Sequence, residues 1–100
     1  MKERIKMEGY FIVRCDRAGV FAGYIKERNG REVTMSNVRR LWYWSGAASL
    51  SQLAVDGPKN PSGCKFTVTV DEIILLEAIE IIPCTADAEI SIKGVKVWKA

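Results

Sequence analysis

Asn29-Gly30 constrains this 100-residue chain more than any other dipeptide in it. Both residue types tolerate positive φ, so between two strand-like runs the pair favours a type I′ turn, whose twist matches that of the strands it joins. The flanking runs, residues 20–28 (VFAGYIKER) and 31–38 (REVTMSNV), are rich in β-branched and aromatic side chains and become antiparallel neighbours. Residues 10–15 (YFIVRC) read as a strand ahead of them, with a turn at Asp16–Gly19. Gly23, in mid-strand, marks a bulge or a close backbone approach. Ser36-Asn37 is a candidate break, after which residues 39–44 form a further strand.

The second half continues the β pattern with two interruptions. Ser45-Gly46 ends the strand, and residues 47–54 (AASLSQLA) form a short helix with Ser45 as N-cap and Leu50 and Leu53 on one face. Residues 57–63 are a loop with two prolines. Residues 64–70 (CKFTVTV) alternate, placing Phe66, Val68 and Val70 together. Residues 73–82 fit strand or helix by period; their isoleucines favour a bent strand, which Pro83 ends. Thr85 caps a second helix over residues 86–93, Gly94 stops it, and residues 95–98 are a last strand or ordered tail. Short strands at close spacing predict a β-rich α+β fold: a small antiparallel, partly open SH3-like or OB-like barrel with two short helices. Residues 1–8 are a lead-in and 9–100 one domain.

Recognition chemistry concentrates in residues 39–54 (RRLWYWSGAASLSQLA). Arg39 and Arg40 beside Trp42, Tyr43 and Trp44 supply what a nucleotide needs, guanidinium forks for phosphate and rings for a base. Small residues at a helix start, Ser45 and Gly46, add backbone N–H groups open to an anion. These seven residues are the candidate ligand site. Strand alternation sets Leu41 and Tyr43 against Trp42 and Trp44. Two apolar faces in so small a domain call for a second layer, a partner subunit or a ligand. The plainer alternatives are core aromatics with solvated arginines, or a subunit contact.

Composition excludes whole classes of chemistry. There is no histidine, which removes histidine-dependent triads and most zinc sites. Cys15, Cys64 and Cys84 are odd in number and lack a C-x-x-C spacing, as expected of reduced, buried thiols. Asp56, Asp71, Glu72, Glu77 and Glu80 keep a carboxylate-based hydrolase as a minor alternative, without motif spacing. No cofactor or metal is implied. Net charge is +3, with ten basic and five acidic residues in positions 1–50 against five and seven in 51–100. A basic half could face an anion or the acidic half of a second copy, and a homo-oligomer is expected. The start of the chain reads as lacking a secretory signal, and no apolar run approaches the ~20 residues of a transmembrane helix. A cytosolic protein without a membrane partner is expected.

The wording at residues 20–24 (VFAGY), 39–54, 64–66 (CKF), 80–85 (EIIPCT) and 95–100 (VKVWKA) resembles a family of small bacteriophage and prophage proteins of unknown function. The resemblance implies a setting in the infected bacterial cytoplasm or in a virion. It transfers no catalytic residue. It implies a non-catalytic binding protein, acting in counter-defence by sequestering a nucleotide-type immune signal. The alternatives are an assembly or host-protein-binding protein acting through its aromatic surface, and a single-stranded nucleic-acid-binding barrel.

Overall fold

In the computed structural model, which describes residues 7–100, six strands and two α-helices follow the order β1 (Tyr10–Cys15), β2 (Gly19–Asn29), β3 (Glu32–Tyr43), α1 (Leu50–Asp56), β4 (Lys65–Phe66), β5 (Val70–Leu75), β6 (Ala78–Pro83) and α2 (Ala86–Gly94). Most of the expected lead-in falls outside the described residues. All strand pairs are antiparallel and the sheet runs β4-β3-β2-β1-β6, with β5 also on β3. β5 and β6 follow each other in the chain yet lie on opposite edges of the sheet, which curls to bring those edges together without closing. This is the β-rich α+β, partly open small barrel that the strand spacing predicts.

The curl gives the sheet two buried faces. Phe11, Val13, Phe21, Met35, Val38 and Leu75 pack on the inside of the curl. Ile12, Ala22, Leu41 and Phe66 pack on the other side beneath Leu53 and Ala54 of α1 and Ile92 of α2. β1 serves both faces by plain alternation, which is why only Arg14 of its six residues is exposed. Bulges let β2 and β3 do the same. The β2–β3 register shifts next to Gly23, where a Cβ would stand 2.8 Å from Val38 Cα.

Several local expectations are corrected. The hairpin pairs Asn29 with Glu32, so the central turn residues are Gly30 and Arg31. Of these only Gly30 has positive φ (62°), the sign pattern of a type II′ turn rather than I′. Ser36-Asn37 does not break the strand. Asn37 takes φ 44° within one continuous β3, a kink that Asn accepts more readily than most residues. α1 begins three residues later than expected, with Ser49 rather than Ser45 as N-cap; the Ser49 hydroxyl accepts from Gln52 N–H at 3.1 Å. Residues 64–70 do not share one buried face: Phe66 is buried, whereas Val68 and Val70 are exposed once the chain leaves β4. Residues 73–82 are β throughout except at the turn Leu76-Glu77, which divides them between β5 and β6. The Thr85 cap of α2 is as expected, but Gly94 does not stop the helix: it is the last helical residue, without positive φ, and Val95 is the C-cap; Val97 bridges to Phe66.

Candidate functional site

The paired arginines have opposite fates, set by β-strand alternation. Arg39 points with Leu41 toward the helix-covered face and is only 2% exposed. Its guanidinium donates to the carbonyls of Thr67 (2.9 Å), Phe66 (3.2 Å), Ile92 (3.0 Å) and Val95 (2.9 Å). It also lies over the Phe66 ring at 5.5 Å. Ile92 and Val95 are at the C-terminal end of α2, where the helix dipole favours a cation. Burial pulls the Arg39 pKa below its usual value, but an arginine stays protonated there. Arg39 is therefore an internal strut joining β3, β4 and α2, and the expectation that it pairs with a ligand is corrected.

Arg40 points the other way. Its guanidinium rests over the Phe21 ring at 4.8 Å, and its side chain makes no hydrogen bond or ion pair among the described residues. Beside it opens a cleft of about 610 Å³ between the β1–β2 turn and the end of β3, lined by Arg17, Gly19, Val20, Arg40, Trp42 and Trp44 among others. Arg17 sits at the tip of the Asp16–Ala18 turn with φ 69°. It too makes no hydrogen bond or ion pair among the described residues.

The aromatic residues do not keep the expected alternation of Leu41 and Tyr43 against Trp42 and Trp44: Leu41 is buried while Tyr43 is exposed, and Trp44, just past the end of β3, packs on the same side as Leu41. Trp44 is half-buried against the helix-side cluster. Trp42, 60% exposed, lies against Trp98 of the C-terminal segment, with ring centroids 5.5 Å apart and planes tilted by 30°. Lys65 Nζ is 5.6 Å from the Trp42 centroid, 5.5 Å from Trp98 and 5.9 Å from Tyr43. Trp98 is positioned by its backbone N–H, which donates to Phe66 O at 2.9 Å. Thus Trp42 borders the cleft and also belongs to an exposed aromatic platform spanning β3, β4 and the C-terminal segment.

Ser45 and Gly46 do not form an anion-binding helix start. Asn60 N–H donates to Ser45 O (3.4 Å) and Lys59 N–H to Gly46 O (3.1 Å). A Cβ on Gly46 would lie 2.5 Å from Asn60 N, so Gly46 is where the β3–α1 link and the 57–63 loop touch. Both residues latch that loop to the fold. Sequence reasoning thus placed Arg40, Trp42, Tyr43 and Trp44 at the surface patch and missed Arg17, Lys65 and Trp98. The last three come from turns and strands distant in sequence, and only the doubled basic–aromatic pattern in residues 96–99 (KVWK) hinted at Trp98.

The candidate carboxylates do not converge. Glu72, Glu77 and Glu80 are engaged in surface ion pairs with Lys26, Arg31 and Arg14. Among the described residues no group of three or more Cys, Asp or Glu could hold a metal ion. The cysteines are free, with burial raising the thiol pKa of Cys15 and, with help from Glu89, pushing that of Cys84 up to about 11. No helix among the described residues is long and apolar enough to cross a membrane.

No curated protein and no solved structure matches the chain. One family model, described as a domain of unknown function (DUF6948), matches residues 8–92. That span includes Arg17, Arg40, Trp42 and Trp44 but stops short of Trp98. It covers most of the chain, and the protein belongs to the DUF6948 family.

Proposed function

We propose that this protein is a non-catalytic binding domain that captures a nucleotide-type anion in the cleft between the β1–β2 turn and β3. The observation that carries the reading is the meeting, in one open cleft, of two indoles and two arginines whose side chains have no hydrogen-bond or ion-pair partner among the described residues. An unpaired guanidinium at a surface is ready to receive phosphate oxygens in a bidentate geometry. An exposed indole offers a face on which a base stacks. Arg17 and Arg40 hold the phosphates, and Trp42 carries the base with Trp98 bracing it from behind. The resemblance of the sequence to small phage proteins supports a setting in an infected bacterium, where such a domain sequesters a nucleotide-derived immune signal.

Calorimetric titration with cyclic dinucleotides and ADP-ribose tests this. The folded protein is expected to bind at least one of them, with Arg40→Gln and Trp42→Ala each weakening binding by about tenfold, the worth of one charge-assisted contact or one stacked base. Absence of binding by the folded protein, or binding indifferent to both substitutions, overturns the assignment.

Self-association is a second reading, favoured by Ile74, Leu76 and Ile79, all exposed around the β5–β6 turn, with Leu76 67% exposed. Clustered apolar side chains of this kind commonly mark a protein contact. Light scattering is expected to give a mass above that of one chain, reduced by Leu76→Glu; a monomer at high concentration excludes it.

A further inference from the structure

We infer that the ligand of this surface is a single-stranded nucleic acid, with the Trp42–Trp98 platform receiving a nucleotide beyond the one held in the cleft. This rests on the cleft reading and specifies the ligand class. Trp42 is common to the cleft and the platform, so a strand held by Arg17 and Arg40 leaves the cleft over an aromatic surface. That surface is open: Trp98 is 43% exposed and Tyr43 is exposed beside it. Its cation is aligned with the rings, Lys65 Nζ lying 5.5 Å from Trp98 and 5.6 Å from Trp42.

Charge complementarity identifies the occupant. Arg14, Lys26, Arg31 and Lys93 are neutralised by carboxylates. Arg17, Arg40 and Lys65, the cations of the cleft and the platform, have no ion-pair partner among the described residues. Lys96 and Lys99, which flank Trp98 in sequence, have none either. An aromatic surface for an apolar protein partner has no need of an unneutralised cation over its rings. Alternating phosphates and bases need both elements together. Exposed faces also suit unstacked bases, which a duplex does not offer.

The test is fluorescence anisotropy with labelled octathymidylate, competed by thymidine monophosphate, by unlabelled octathymidylate and by a duplex of the same length. The octamer is expected to bind at least about tenfold tighter than the mononucleotide, the contribution of one further stacked base. The logarithm of its affinity is expected to fall with the logarithm of salt concentration with a slope of about −2, from three phosphate contacts. Trp98→Ala should remove most of the gain of octamer over mononucleotide, and Lys65→Gln, which leaves both rings in place, should flatten the salt slope. Equal affinity for octamer and mononucleotide overturns this inference and leaves the cleft reading standing. Duplex binding as tight as the single strand also overturns it. Binding of neither probe by the folded protein, judged by its near-ultraviolet circular dichroism, overturns it and leaves the cleft reading to the cyclic and ADP-ribose ligands alone.

Discussion

Replacing Arg39 is expected to cost the protein much of its stability and, provided it folds, little of its ligand affinity. The buried guanidinium meets four carbonyl oxygens. Two of these retain another donor: Phe66 O accepts from Trp98 N–H, and Ile92 O from Val95 N–H. Thr67 O and Val95 O have no other hydrogen-bond partner among the described residues. In Arg39→Met each of those two is left bare at about 1–3 kcal/mol, while methionine refills most of the apolar volume. Relief from burying a charge offsets part of this. The net expectation is a loss of about 2–5 kcal/mol, against the ~5–15 kcal/mol that holds a domain together. Arg39→Lys should recover a part, since one ammonium cannot reach four diverging acceptors. Urea unfolding followed by circular dichroism measures the change, read from the midpoint at constant slope. A change below about 0.5 kcal/mol for Arg39→Met, the range of a surface substitution, refutes the strut. So does a nucleotide affinity that falls as far in folded Arg39→Lys as in Arg40→Gln.

Two further expectations concern the fold. Gly23→Ala places a methyl 2.8 Å from Val38 Cα and 2.9 Å from its Cβ, so chemical unfolding should show about 1–3 kcal/mol of overpacking destabilisation; an unchanged midpoint means that the strands separate freely. Alkaline pH should destabilise the protein. Burial raises the Cys84 pKa from 9.0 to about 11, and it raises those of Tyr10 and Cys15 as well. A group whose folded pKa is raised contributes fully below its unfolded pKa and loses that contribution as pH climbs to the folded one. For Cys84 the window is pH 9 to 11. Melting temperature should fall across it more steeply in the native protein than in Cys84→Ala, and parallel curves exclude the linkage.

Much of the fold was legible because its signals are local. The β2–β3 hairpin follows from turn chemistry between two β-branched runs, and Gly23 announced its close approach by being a glycine in mid-strand. The α2 cap needed only Thr85 and the carboxylates after it. What was illegible depended on distant partners. Val68 and Val70 alternate with Phe66 as a buried face does, but β4 lasts two residues because only Phe66 meets the helices. Arg39 looked like a surface cation because its four acceptors lie 27 to 56 positions away. Its shared parity with Leu41 was the available clue. The cleft combined Arg40, Trp42 and Trp44 at the end of β3 with Arg17 from the β1–β2 turn, which no spacing rule connects.

The placement of β5 and β6 also bears on how the molecule opens. Val33 pairs with Leu75, and Val13 with Ile81, so each ladder closes a long loop that is entropically costly to form alone. Only Leu76 and Glu77 separate the two strands, and Asp16 N–H donates to Glu77 O while Ala78 N–H donates to Arg31 O. Zipping one ladder therefore delivers the second strand to its register at almost no additional loop cost. The two edges behave as one clasp. Backbone amides of the β3–β5 and β1–β6 ladders should share a common opening free energy in native-state hydrogen exchange, although their partner strands stand on opposite sides of the sheet.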